Sequence, residues 1–278
     1  MTWSINTIPS QTGRHAIVTG ANTGLGYETA LVLAGKGCTV TLACRSLHNA
    51  QQARQSILEI FPKAEVDCGV LDLCDLMSVE SFATRFRTTR TQLDLLINNA
   101  GIMMPPLALS KDGFESQLAA NYLGHFALTG HFLPLLNATQ GSRVVSLSSL
   151  AHRWSNIRFD DMNFNSGYNK RQAYGQSKFA CLMFAYELQR RLARSGAQTL
   201  SVAAHPGVSA TSLFRHLPGI VGILNPLTAL VFQSAKGGAL PILYAALSED
   251  VLGGEYFGPQ SFHEMKGEPG KVGSNRAS

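Results

Sequence analysis

Apolar positions along the chain follow two alternating rhythms. Short runs that are apolar almost throughout, HAIVTG (15–20), TVTLAC (39–44), VDCGVLDL (66–73), LDLLIN (93–98), RVVSLS (143–148) and TLSVAAH (199–205), predict strands. Between them, apolar residues recur at i, i+3 and i+4 near 25–35, 47–60, 77–88, 113–136, 172–194 and 235–247, which predicts helices with one apolar face. Strands apolar on both faces and joined by helices predict an α/β fold, a doubly wound parallel sheet with helices on both faces. No repeat or linker divides 1–278, so one domain is expected, with a core over about 13–257 and a polar tail from about Phe262.

Composition narrows the classes. Of the 278 residues, 45% are hydrophobic and 15% charged, enough to bury a sizeable core. The net charge of +5 is scattered, and the basic run RFRTTR (85–90) reads as a solvated helix end, so an anionic cofactor fits better than nucleic acid. The five cysteines contain no C-x-x-C, which points to a reduced, cytoplasmic chain. The N-terminus lacks an apolar signal core, and the most apolar later stretch, GIVGILNPLTALVF (219–232), is interrupted by Asn225 and Pro226. It is shorter than the roughly 20 residues a bilayer needs, so no membrane span is expected. His125 and His131 are six apart and H-E-x-x-H is absent, so no metal site is expected; the lack of G-x-S-x-G argues against a serine hydrolase.

Candidate chemistry begins at the first strand–helix junction, TGANTGLG, where Gly20, Gly24 and Gly26 are spaced G-x-x-x-G-x-G. Glycines there let the backbone approach a phosphate, and the following helix offers free N–H groups and the positive end of its dipole. This is the Rossmann-type arrangement for a dinucleotide. The second strand ends at Cys44, and Arg45 follows, 45 − 26 = 19 positions past the last glycine. An acidic residue there would bond the ribose 2′-hydroxyl of NAD(H); an arginine fork suits the 2′-phosphate of NADP(H). Farther on, YGQSK places Tyr174 and Lys178 one helical turn apart. A free phenol has a pKa near 10, and a neighbouring ammonium favours its ionised form, so Lys178 is expected to lower the Tyr174 pKa and make it a general acid in carbonyl reduction.

Taken together, TGANTGLG, LDL with Asp72, NNAG (98–101), Asn121, Ser148–Ser149, Y-x-x-x-K and PGVSAT (206–211) resemble the short-chain dehydrogenase/reductase family over roughly 13–257. CRS after the second strand, NYLGHF (121–126) and SSLAH (148–152) are similar to its retinol-dehydrogenase-like branch, which includes the oxidoreductase domain of the WW-domain oxidoreductase. The resemblance implies NADP(H)-linked hydride transfer between nicotinamide and an apolar aldehyde, ketone or secondary alcohol. It implies that Asn121, Ser149, Tyr174 and Lys178 are catalytic: Ser149 orienting the substrate oxygen, Lys178 bonding the nicotinamide ribose, Asn121 holding a water that links the lysine to solvent. Ser148 competes for the serine role, and the family pattern favours Ser149. For the cofactor it implies Gly20, Asn22, Thr23, Gly24, Leu25 and Gly26 at the pyrophosphate, Arg45, Asp72 and Leu73 on the adenosine side, and Asn99, Ala100 and Gly101 at the ribose. Pro206, Gly207, Val208 and Thr211 should meet the carboxamide. A homodimer or homotetramer is also implied.

Ser149 and Tyr174 are 174 − 149 = 25 positions apart, wider than the family's dozen or so. The polar and aromatic stretch between them is expected to make an ordered excursion over the site. Trp154 and Phe164 within it, with Phe159, Met162 and Tyr168, either face an apolar substrate or pin the loop to the body. Met103, Met104 and Leu213 are further pocket candidates, because flexible apolar side chains suit irregular ligands. Two other functions are compatible with the motifs: a non-catalytic NADP(H)-binding sensor or scaffold, and a protochlorophyllide-reductase-like enzyme.

Overall fold

The structure, a computed structural model, describes residues 3–208 and 233–274. Six strands, β1 (His15–Thr19), β2 (Thr39–Cys44), β3 (Val66–Val70), β4 (Leu95–Asn98), β5 (Arg143–Leu147) and β6 (Leu200–Ala204), fall within the runs that predict them. They are joined by β7 (Tyr256–Ser261) and β8 (Lys266–Lys271) in one sheet of order β3-β2-β1-β4-β5-β6-β7-β8. Every neighbouring pair is parallel except β7 and β8.

Alternating side chains fill two cores, as the period of a strand requires. On one face Ala16, Val18, Leu95 and Ile97 pack under α1 (Gly24–Gly35), α2 (Leu47–Ile60) and a late helix, α7 (Ala235–Leu247). On the other, Ile17, Leu96 and Val144 pack under α3 (Leu76–Thr89), α5 (Gly124–Ala138) and α6 (Lys170–Arg194). Ile17, Leu95, Leu96 and Ile97 are fully buried, each contributing about 1.5–3 kcal/mol of apolar burial. Ser46, Asp75, Asn169 and Ser234 cap α2, α3, α6 and α7 through their side chains.

Two expectations change. The polar tail from Phe262 is instead the turn and edge strand of a β7–β8 hairpin. β8 reads KGEPGK and has no apolar rhythm; its Pro269, opposite Pro259, is tolerated because β8 lies at the sheet edge. The single helix expected over 113–136 is three pieces: α4 (Ser116–Leu118), a π turn at Ala119–Leu123, and α5. Thr211, Leu213 and the apolar stretch 219–232 lie outside the described residues. Among the described residues, no helix is long and apolar enough to cross a membrane.

Candidate active site

From β1 the chain moves outward to β2 and β3, then returns to β4 on the other side of β1, so a crevice opens at the carboxyl ends of β1 and β4. The predicted phosphate loop, residues 20–26, lines it. Gly24 adopts φ +58°, where an L side chain is strained, and a Cβ on Gly26 would stand 2.5 Å from both the Gly20 carbonyl oxygen and Asn99 Nδ2. Thr23 is the N-cap of α1 without a side-chain cap bond, while Asn22 is half-buried and Leu25 buried. The loop is thus a close-packed backbone cradle at a helix N-terminus, which fits a pyrophosphate.

Thr19, for which the sequence predicts no role, locks this loop to NNAG. Its hydroxyl accepts from Asn99 N and Ala100 N, each at 2.9 Å, and its carbonyl accepts from Asn99 Nδ2 at 2.7 Å. Arg45 is exposed just past β2. Asp72 lies two residues beyond β3, its Oδ1 accepting from Cys74 N at 2.9 Å, with Leu73 buried beside it. Gly101 faces Asn121 and Lys178: a Cβ there would meet Asn121 Oδ1 at 3.1 Å and Lys178 Nζ at 3.5 Å.

Asn121 sits in the π turn, a device that redirects a side chain inside a helix. Its amide is fully used, accepting from Ile102 N at 2.8 Å and donating to Ile102 O at 3.0 Å and Ser177 Oγ at 2.9 Å. Its backbone carbonyl accepts from His125 Nδ1 at 2.9 Å and Cys181 Sγ at 3.1 Å. The two serines separate cleanly. Ser148 is buried and donates to Lys178 O at 2.8 Å, whereas Ser149 is half-buried beside the Tyr174 phenol, its Oγ accepting from Ala151 N at 3.2 Å.

Tyr174 is 4% exposed, and burial pushes its phenol up to about 12 despite the opposing pull of the neighbouring Ser149 hydroxyl. Lys178 does not lower it as expected: its Nζ lies 6.0 Å from the Tyr174 ring centroid and donates to Leu147 O at 3.0 Å. Burial also lowers the Lys178 pKa. Met103 and Ala151 pack against Tyr174, with Met104 at their edge.

The excursion after Ser149 forms a short 3₁₀ turn, Leu150–Trp154, and then a non-strand loop back to α6. Gln176, inside YGQSK and fully buried, fastens it by accepting from Arg158 N at 2.9 Å and donating to Met162 O at 2.9 Å. Trp154 is 42% exposed with its ring 6.2 Å from that of Tyr174, so it stands at the site. Phe164 does not: it is 1% exposed under the Arg158 guanidinium and against Tyr168, so it pins the loop. On the other side Val208 N donates to Met265 O at 2.9 Å, tying the Pro206–Val208 loop to the β7–β8 turn. Glu264 in that turn pairs with Arg153 at 3.2 Å and lies 3.3 Å from His205 Nε2.

His125 joins the two halves of the site. Because a carbonyl only accepts, Nδ1 carries the proton toward Asn121 O, and Nε2 therefore accepts from the Thr19 hydroxyl at 2.9 Å. Complete burial lowers its pKa to about 4, against 6.5 for a free imidazole. Below pH 6.5 the unfolded chain takes up a proton that the folded chain refuses, so stability falls as pH drops from about 6.5 to about 4 and then levels off. The difference between the unfolded and folded affinities for that proton corresponds to about 3 kcal/mol. Buried His15, His152 and His205 are lowered too and act in the same direction. Urea unfolding at pH 7 and pH 4.5 should show this loss, with a shallower slope for His125→Asn; equal stability at both pH values would contradict it.

A doubly wound sheet with a glycine cradle and a Ser–Tyr pair at its open crevice defines a dinucleotide-dependent oxidoreductase. The family model for short chain dehydrogenase matches residues 14–218. Human retinol dehydrogenase 13 is 43% identical over 260 residues, covering 90% of this chain and 77% of its own. An uncharacterised protein from Mycobacterium paratuberculosis shares the structure at TM-score 0.82 with 39% identity, over 100% of this chain and 91% of its own. A short chain dehydrogenase from Shigella flexneri complexed with NADP shares the fold at TM-score 0.69 with 23% identity, over 88% of this chain and 96% of its own. The chain belongs to the short-chain dehydrogenase family, in the retinol-dehydrogenase-like branch.

Proposed function

We propose that the protein is an NADP(H)-dependent carbonyl reductase or alcohol dehydrogenase acting on an apolar aldehyde, ketone or secondary alcohol. The observation that carries this reading is half-buried Ser149 beside the Tyr174 phenol, with Met103 and Met104 packed around it, at the crevice that the glycine cradle opens. Residues 20–26 hold the pyrophosphate, Arg45 the 2′-phosphate, Asp72 and Leu73 the adenine end, and Asn99 to Gly101 the ribose. Lys178 bonds the nicotinamide ribose, and Pro206 to Val208 the carboxamide. When bound, the dihydronicotinamide supplies the hydride.

The chain's own residues do the rest. Ser149 donates to the substrate oxygen and orients it; Tyr174 gives that oxygen a proton as negative charge builds there. The raised phenol pKa keeps Tyr174 protonated at neutral pH, the form reduction needs. Lys178 and Asn121 fix the floor beneath Gly101. The cytoplasm and a homo-oligomer are the proposed setting; exposed Met183 and Phe126 on α6 and α5 are surfaces for self-association.

A spectrophotometric panel of aldehydes and ketones with NADPH and with NADH tests the assignment. NADPH-linked turnover is expected to dominate, and Arg45→Ala should reduce the preference for NADPH over NADH roughly ten- to hundredfold, the range of a charged hydrogen bond. Equal use of both cofactors by the unmodified protein would reject the Arg45 role. NADPH binding without turnover of any carbonyl would favour a sensor or scaffold.

A further inference from the structure

A groove of about 630 Å³ begins at Met104 and runs between Pro105–Pro106 on one wall and Tyr168–Arg171 on the other. It adjoins the site through Met104 and Arg171. Met104 packs at the edge of the Met103–Ala151–Tyr174 cluster, and the Arg171 guanidinium stacks 4.6 Å over Trp154, whose ring neighbours Tyr174. Lys170 and Arg171 precede Tyr174 by four and three positions, so all three share one stripe of α6 about one turn apart.

The walls are held rigidly. Buried Gln117 accepts from Met104 N at 2.8 Å and donates to Lys170 O at 3.0 Å and to the Tyr168 hydroxyl at 2.8 Å. Tyr168 in turn donates to Pro105 O at 3.1 Å. The acid beneath, Glu115, is fully buried and its oxygens already accept from Gln117 N and Leu118 N.

The charges at the open end have no such partner. Lys170 and Arg171 occupy the first turn of α6, where the helix dipole disfavours cations, and that turn has no acidic residue. Both are exposed and neither forms an ion pair among the described residues. A groove that starts at Met104, at the edge of the Tyr174 cluster, and ends at two cations with no ion-pair partner among the described residues is complementary to a ligand with an apolar body and an anionic head.

We infer that the substrate carries a carboxylate or phosphate at the end remote from its reacting carbonyl or hydroxyl, seated against Lys170 and Arg171. This rests on the proposed reading of Tyr174 as the reacting end, but its test does not need turnover. Only Trp3 and Trp154 are present, so in a Trp3→Phe background emission reports on Trp154 under Arg171. Titration with alkanoates, alkyl phosphates and alkanols of matched length should show saturable changes, with the anions binding about three- to tenfold tighter than the alcohol, the range for two exposed cations. The gap should shrink as salt rises and close in the Lys170→Glu/Arg171→Glu variant. Whichever anion shows the larger gap identifies the head group. Equal affinity for anion and alcohol, no saturable change, or a gap that survives charge reversal would overturn the inference. Tyr174→Phe should bind the anions normally while losing turnover, so a failure of the chemistry and a failure of the groove are read separately.

Discussion

Tyr174→Phe should lose roughly 10²- to 10⁴-fold in NADPH-linked carbonyl turnover, the usual contribution of a positioned general acid, while binding NADPH within about threefold of the unmodified protein. The substitution removes one oxygen and keeps the ring that packs on Met103 and Ala151. The neighbouring Ser149 hydroxyl is half-buried and can rehydrate, so stability should change by about 1 kcal/mol or less. Thermal unfolding and fluorescence titration of NADPH would establish that the fold and cofactor site survive. The pH profile gives a second reading of the same group. With its phenol pushed up to about 12, Tyr174 is already in the donor form at neutral pH, so reduction should be flat from pH 6 to 9. Oxidation needs the ionised phenol as base and should rise across that range. Undiminished turnover in the variant, or oxidation that falls with rising pH, would remove Tyr174 from the chemistry.

That Tyr174 could be singled out before any coordinates reflects what a sequence encodes well. Strands β1, β2, β4, β5 and β6 were legible because parallel strands buried on both faces leave nearly unbroken apolar runs, and the phosphate loop because only glycine fits where Gly24 turns and Gly26 meets Gly20. Edge strand β8 was not legible: an edge strand buried only at Pro269 and Gly270 needs no apolar rhythm, and KGEPGK has none. The π turn at Asn121 was equally hidden, since inserting a residue into a helix leaves its composition unchanged. Thr19 and His125 could have drawn attention only through their partners, because a threonine ending a strand and a histidine inside an apolar helix carry no spacing signature. The tuning of Tyr174 was misjudged for a related reason. Sequence spacing sets Lys178 one turn away, but it does not say that Nζ turns to Leu147 O or that burial outweighs the charge.

A pair of glycine-to-alanine substitutions separates the cofactor cradle from simple helix propensity. Both Gly26 in α1 and Gly130 in α5 lie inside helices, where alanine is intrinsically better by about 1 kcal/mol. At Gly130 an added Cβ meets nothing within 4 Å, so Gly130→Ala should stabilise the protein by about 0.5–1 kcal/mol and leave turnover unchanged. At Gly26 the same methyl would lie 2.5 Å from the Gly20 carbonyl oxygen and from Asn99 Nδ2, and neither can yield cheaply. Gly20 is itself held at φ +64° and its N donates to Ala43 O at 2.8 Å, while Asn99 Nδ2 donates to Thr19 O at 2.7 Å. Overpacking of this kind costs about 1–3 kcal/mol, which exceeds the propensity gain. Relief must come from opening the loop that cradles the pyrophosphate, so Gly26→Ala should be net destabilised and should weaken NADPH binding by roughly a hundredfold, the worth of two charged hydrogen bonds at the low end. Calorimetric titration with NADPH alongside thermal melts of both variants measures the two effects independently. A Gly26→Ala protein that binds NADPH normally would mean that the phosphate does not rest on this loop.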